Sequence, residues 1–255
     1  TGFAVAANTG SLWLGLLGAI IAGVLAGLLM SFLSVRLGVN QHVSGLGITL
    51  LATGLSLYLY RIIFGENKVP PSIDSFPMLQ ILPESSPLAP ITNQYLLTYI
   101  AIAMILVVWW VISKTRFGLQ IRAVGENPEA ADAAGLNVYA IRTWALAIGS
   151  ALMAIGGAFL TIAQLGSFTF GIVAGRGWVC IALIIFANWN AISVFWGALI
   201  FGGVQALQLR LQTLGFKLPY ELFLSLPYIV TIIALTLAGR NVSAPSALLK
   251  AYRRE

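Results

Sequence analysis

Long apolar stretches that carry almost no charge divide this chain, and their spacing limits its folds more than any motif does. Crossing the hydrocarbon of a bilayer takes about 20 mostly apolar residues in a helix. Seven segments read as spans: Leu12–Phe32, Val43–Phe64, Gln94–Ile112, Thr143–Ala163, Gly177–Trp189, Ile192–Leu209 and Tyr220–Ala238. The fifth is short and follows the glycine-rich stretch 171–177, so a broken or tilted span is expected there. Charged residues make up only 9% of the chain, against about 25% in soluble domains. The expected fold class is all-α: one polytopic membrane domain over residues 1–255, with about seven transmembrane helices. The chain opens at Thr1 on small apolar residues without a methionine, so a further N-terminal span is expected to precede it.

Loop charge sets the orientation, because lysine and arginine collect on the cytoplasmic side. With the loop 114–142 placed inside, nine basic residues fall inside: Arg36, Lys114, Arg116, Arg122, Arg142, Arg240, Lys250, Arg253 and Arg254. Five fall outside or near the outer boundary: Arg61, Lys68, Arg176, Arg210 and Lys217. Thr1 is then expected outside and Glu255 inside. The outer loop 65–93 holds six of the ten prolines and is expected to be extended, with little regular structure, over the outer mouth. The net charge of +6 fits cytoplasmic loops and lipid headgroups. The basic residues form no stripe with interleaved aromatics, so nucleic acid is not an expected partner. One cysteine, Cys180, and one histidine, His42, leave no disulfide framework and no His-based metal site.

The loop 114–142 is the most polar stretch between spans. Asn127 is placed to cap a helix, Pro128 suits its first turn, Glu129 faces the positive end of its dipole, and Gly135 supplies the stop. The interior is Ala130, Ala131, Asp132, Ala133 and Ala134. Alanines keep such a helix thin and let a partner backbone approach closely. The alternative is a connector resting on the bilayer, but surface helices of that kind use a bulky apolar face, which is missing here. A protein that keeps one such helix between its spans is expected to present it to a cytoplasmic partner.

The run Arg122-Ala-Val-Gly-Glu-Asn-Pro-Glu-Ala-Ala-Asp-Ala-Ala-Gly-Leu-Asn137 resembles the coupling-loop signature of permease subunits in bacterial ABC importers. The resemblance is to the ribose/nucleoside branch of the branched-chain/monosaccharide-type permeases. It extends to Asn40-Gln-His-Val-Ser-Gly45, Ala174-Gly-Arg-Gly-Trp178, Asn188-Trp-Asn190, Leu218-Pro-Tyr-Glu-Leu222 and Leu226-Pro-Tyr228, which together cover most of residues 40–239. It implies that Gly125, Glu126, Asn127, Glu129, Ala130, Ala131, Ala134, Gly135 and Asn137 dock into a separate cytoplasmic ATPase. The chain has no Gly-x-x-x-x-Gly-Lys-Ser/Thr phosphate loop. No catalytic role and no cofactor are expected for it, and ATP with Mg is assigned to the partner ATPase. The further partners implied are a second permease, homologous or identical, an external substrate-binding protein and the lipid bilayer. The implied location is the bacterial inner membrane.

The substrate path is read from polar groups that enter spans. Asn40, Gln41, His42 and Ser44 arrive together before Gly45, Gly47 and Gly54, a pattern that fits a discontinuous helix lining a cavity or an interfacial loop capped by Asn40. The Asn-Gln-x-x-Ser-Gly pattern resembles the nucleoside branch. His42 departs from it where an aliphatic residue is usual, and Thr49 where an asparagine is common. Gln164, Phe168 and Phe170 precede a glycine-rich loop, and their aromatics suit either stacking on a base or anchoring at the interface. Arg176, between glycines, needs a partner or water near a membrane; it either closes a helix break, against carbonyls or Glu221, or meets substrate. Ser150, Ala154 and Ala158, and likewise Ala198, Gly202 and Ala206, are spaced by four as small-residue helix contacts. The function implied is the transmembrane subunit of an ATP-driven importer for a nucleoside or related ribosyl compound. A simple-sugar permease is the alternative within that class. An ion-coupled secondary transporter would need ionisable residues buried mid-span, and only the marginal Arg61, Arg176 and Glu221 approach this.

Overall fold

The computed structural model describes residues 1–65, 72–83, 86, 89–173, 175–213, 225–226, 228–233, 236 and 244–253. The regular structure of the described residues is almost all helix, with one short pair of strands. Among the described residues, five helical stretches are long and apolar enough to cross a membrane: Leu12–Arg36, Gln41–Phe64, Leu96–Lys114, Val138–Gln164 and Ala191–Gln212. The shorter Arg176–Phe186 has 11 residues, or about 17 Å at 1.5 Å per residue, too little for a 30 Å hydrocarbon layer. Most of the seventh expected span, 220–238, lies outside the described residues. The helices group into two compact units. One comprises Thr1–Ile102, Arg116–Ile172 and Ser246–Glu255; the other comprises Ala103–Thr115 and Val173–Pro245.

The first unit is organised by two helices that touch through backbone. Helix α1 (Gly2–Thr9) ends at Gly10, whose φ of 68° turns the chain, and Ser11 caps α2 (Leu12–Ser31). The pair forms a tight hairpin in which α1 buries Gly2, Phe3 and Ala6. A Cβ at Gly15 would lie 2.7 Å from Cβ of Ala6 and 2.8 Å from the Gly2 carbonyl oxygen. The buried residues of α2 are Gly15, Ala19, Gly23, Gly27 and Ser31, one small residue per turn. From Gly23 onward this stripe receives α8 (Val138–Ala158). A Cβ at Gly23 would sit 2.5 Å from Cβ of Ala154 and 2.6 Å from the Ser150 carbonyl oxygen. Contacts this close need residues without bulk, the device membrane helices use where lipid offers no hydrophobic drive to associate. The Ser31 and Thr143 hydroxyls, 2.7 Å apart, hydrogen-bond at the far end of the pair. Ser150 and Ala154 therefore meet a stripe within the same chain. Ala198, Gly202 and Ala206 on α10 are exposed instead.

Both partners end in a π-helical turn, Phe32–Arg36 after α2 and Phe159–Gln164 after α8. Wide turns of this kind are rare and frequent at functional sites. The second carries Ile162 and Ala163, fully buried in a cluster with Ala6, Ala19, Phe76, Leu97 and Ala158. Helix α3 (Gln41–Phe64) starts at Asn40, whose Oδ1 accepts from the backbone N–H of His42 at 2.9 Å and of Val43 at 3.4 Å.

The outer loop departs from the expectation of little regular structure. Strand β1 (Met78–Leu79) pairs antiparallel with β2 (Gln94–Tyr95), and α4 (Ala89–Thr92) lies between them. Asn93 is the reason: its Oδ1 accepts from the N–H of Ile81 and Leu82, and its Nδ2 donates to the Leu82 carbonyl. Phe76 is buried edge-on against Trp13, with ring centroids 5.3 Å apart. The loop is tied to the Gln164 end of the π-turn by the Ile73 N–H, which donates to the Gly166 carbonyl at 2.8 Å.

Helix α5 (Leu96–Lys114) leads into a cytoplasmic-type pair, α6 (Arg116–Glu126) and α7 (Pro128–Ala133). In the second unit α9 (Arg176–Phe186) and α10 (Ala191–Thr213) form a hairpin, with Gly197 under Leu183 and Phe186. Asn188 and Trp189 turn between them with φ of 49° and 59°, and Asn190 Oδ1 accepts from the Ile192 and Ser193 N–H groups.

Candidate functional site

The loop between α5 and α8 is built as a short helix on a fixed base. Asn127 Oδ1 accepts from the Ala130 N–H at 3.0 Å, with Pro128 inside the first turn and Glu129 in it. At the other end Gly135, with φ of 86°, reverses the chain. Its N–H donates to the Asp132 carbonyl at 2.8 Å, and the Leu136 N–H donates to the Ala131 carbonyl at 3.0 Å. That double closure is a Schellman motif with glycine in its left-handed position. Asn137 starts α8 at once, its Oδ1 accepting from the Ala140 N–H at 3.0 Å, so its side chain has a structural task.

Ala131 corrects the expectation that it faces a partner. It is 5% exposed and packs with Val124, Val138 and Ile141, with Ile121, Leu136 and Tyr252 around them. The outward surface of α7 consists of Glu129, Ala130, Ala133 and Ala134, all exposed. Gly125 and Glu126 end α6 and are engaged by the chain's own tail: the Ala247 N–H donates to the Gly125 carbonyl at 3.0 Å, and Ser246 Oγ donates to Glu126 Oε1 at 2.6 Å.

Helix α6 escaped the sequence reading. Its signal is Phe117, Ile121 and Val124 at helical spacing on one face, with Gly118, Gln120 and Arg122 between them that read as loop. It buries Gly118 and Val124 and supplies the floor on which α7 rests.

The second candidate region is an open-sided cavity of about 800 Å³ lined by α1, α2, α3 and Phe168. One face of α3 lines it, through Ile48, Leu51, Ala52, Leu55, Ser56, Leu59, Tyr60, Ile63 and Phe64. At the C-terminal end of α3 four rings gather. Phe168 stacks on Tyr60 with centroids 5.2 Å apart, Tyr60 lies 5.3 Å from Phe64, and Phe3 lies 5.9 Å from Phe64 and 6.2 Å from Phe168.

The remaining path residues divide. Ser44 stands four residues before Ile48, on the same helical face; it is buried, and its Oγ has no hydrogen-bond partner. Asn40 and Gln41 lie at the N-terminal end of α3, about 30 Å from the aromatic cluster at 1.5 Å per residue, so the structure does not bring them to Phe168. Thr49 is exposed and donates its hydroxyl to the Gly45 carbonyl at 2.8 Å. Gln164 and Phe170 are exposed and do not line the cavity. Arg176 is the first residue of α9, in the second unit, after Gly175 with φ of 77°. The hydroxyl of Tyr228 lies 2.9 Å from where a Gly175 Cβ would be. Glu221, its expected partner, lies outside the described residues, as do Leu218, Pro219, Tyr220 and Leu222. No group of three or more potential metal ligands occurs among the described residues.

Residues 1–235 match the family model described as branched-chain amino acid transport system / permease component. The chain belongs to that permease family. Among its relatives, a Haloferax volcanii protein provisionally named a glucose ABC transporter permease protein, TsgC13, is 33% identical over 292 aligned positions, covering 100% of this permease and 85% of its own length. The guanosine ABC transporter permease protein NupQ of Bacillus subtilis is 34% identical over 248, covering 92% and 76%. The nucleoside ABC transporter permease protein NupC of Lactococcus lactis is 34% identical over 241, with the same shares. No solved structure gives a significant match. The permease is thus an all-α, multi-pass protein of the cell membrane, a transport subunit rather than an enzyme.

Proposed function

We propose that this permease forms half of the import path for nucleosides, delivered by an external binding protein and driven by a separate ATPase that holds ATP and Mg. The observation that carries the substrate class is the aromatic end of the cavity, where Phe168 stacks on Tyr60 beside Phe64. A planar base gains from such faces more than a free sugar does. Ser44, whose buried hydroxyl has no hydrogen-bond partner, stands on the same face of α3 beyond the cavity lining, and Asn40 and Gln41 stand at the proposed inner exit. Two of the relatives are named for nucleosides or guanosine. The second reading, a simple sugar, is favoured by the relative named for glucose, which aligns with the whole chain.

Coupling to ATP rests on α7. Its capped ends make it a rigid lever, and its exposed face of Glu129, Ala130, Ala133 and Ala134 admits close approach of a partner backbone. The test of the substrate class is uptake of labelled guanosine and of glucose by the assembled transporter at matched expression. Phe168→Ala is expected to slow guanosine uptake about two- to tenfold, the equivalent of one aromatic stacking contact, while Phe168→Tyr retains it. Uptake of glucose but not guanosine by the parent would reverse the assignment.

A further inference from the structure

The stretch 246–253 crosses the back of the loop that carries α7 and touches three separate elements of the first unit. At the end of α6, Ser246 Oγ donates to Glu126 Oε1 at 2.6 Å and the Ala247 N–H donates to the Gly125 carbonyl at 3.0 Å. At the start of α8, Arg142 Nη1 donates to the Lys250 carbonyl at 3.0 Å, and the Tyr252 ring lies 5.6 Å from that of Tyr139. Tyr252 also packs on the cluster of Val124, Ala131 and Val138 that seats α7. At the turn between α2 and α3, the Arg253 guanidinium lies over Gly38; a Cβ there would be 3.6 Å from its Nε. Gly38 has φ of 66°, and two residues later Asn40 caps α3.

These contacts are specific in a way that a loose tail is not. Ala247 is 8% exposed, and the segment folds into its own turn, with the Lys250 N–H donating to the Ala247 carbonyl at 3.2 Å. The segment reaches both the floor of α7 and the inner mouth of α3. Backbone groups and a ring supply most of the contacts, so they follow displacement of either element.

We propose that residues 246–253 are a strap that ties the α7 loop to the α2–α3 turn, so that displacement of α7 moves the inner end of α3. The proposal rests on the reading that α7 docks an ATPase. Ser246, Arg142 and Tyr252 are then positioning residues: they touch neither substrate nor ATP, and they act through α7 and Asn40. A link of this kind sets how much transport each ATP yields. It does not set how tightly ATP or substrate binds.

The experiment uses the assembled transporter in proteoliposomes and reads two quantities. One is substrate imported per ATP hydrolysed. The other is crosslinking of a cysteine at Ala133, on the exposed face of α7, to the ATPase subunit. Ser246→Ala with Tyr252→Ala removes the strap's side-chain contacts to α6 and to the cluster that seats α7 and leaves Arg253 over Gly38, and Ser246→Thr with Tyr252→Phe restores a donor and a ring. Ser246→Ala alone deletes one surface hydrogen bond and serves where the double variant fails to accumulate. The double variant is expected to import about fivefold less per ATP, the low end of couplings between sites, with the crosslink kept and the Thr/Phe pair returned to the parent ratio. Loss of the crosslink in the alanine variant alone also supports the strap, since α7 has then lost its seat. An unchanged import ratio with crosslinks in both proteins overturns the strap and leaves α7 docking intact. Absence of the crosslink in the strap-intact protein overturns the docking reading, and the strap with it.

Discussion

Replacing Gly23 by alanine tests whether α2 and α8 are held by backbone contact. The new Cβ would lie 2.5 Å from Cβ of Ala154 and 2.6 Å from the Ser150 carbonyl oxygen. Neither neighbour has a rotamer to yield, so the helices must separate. Bringing 2.6 Å to the 3.4 Å of ordinary contact opens the interface by about 0.8 Å. A gap of that size forfeits a quarter to a half of each well of 0.1–0.2 kcal/mol; over roughly 40 atom pairs the loss is about 1–4 kcal/mol. The better helix propensity of alanine returns about 0.5–1 kcal/mol. The net expectation is destabilisation by about 1–3 kcal/mol, in the range of core overpacking. The assay is reversible unfolding of the purified permease in mixed micelles, with Gly149→Ala on α8 as control, since nothing lies within 4 Å of a Cβ there. The control is expected to match or slightly exceed the parent. Equal stability of the two variants would refute the close-contact account of this pair.

Further expectations follow from local geometry. Asn127→Ala removes the cap of α7 and should cost that turn about 1 kcal/mol; uptake per ATP should fall, and Asn127→Asp should recover most of it. Gly135→Val places a β-branched residue at φ of 86°, at a cost of about 1–2 kcal/mol, and faster proteolysis of the loop 114–142 is the readout. Ser31→Ala loses the bond to Thr143, but Thr143 keeps its bond to the Tyr139 carbonyl at 2.8 Å, so the loss should stay near 0.6 kcal/mol in the same micelle assay. In intact cells an impermeant thiol reagent should label a cysteine at Ser86 and spare one at Ser246; the opposite pattern inverts the topology.

The sequence by itself determined the class and the local punctuation. Apolar length marks a span wherever it occurs, because the bilayer demands internal satisfaction of every backbone group. Caps depend on residues three or four apart, so Asn127, Pro128 and Gly135 specify the ends of α7 without reference to anything distant. Tertiary structure decided which side of that helix is free. Ala131 and Ala133 are indistinguishable in a run of alanines, and only the arrival of Val124, Val138 and Ile141 buries the one and leaves the other exposed. The same holds for the stripes of small residues. Ser150 and Ala154 meet Gly23, whereas Ala198, Gly202 and Ala206 remain uncovered. Spacing by four makes close approach possible, but the partner is supplied by long-range packing. The tail shows this most plainly, because Ser246 meets Glu126 across 120 residues of chain. No local pattern encodes such a contact; it exists only once α6, α8 and the α2–α3 turn have been brought to one place.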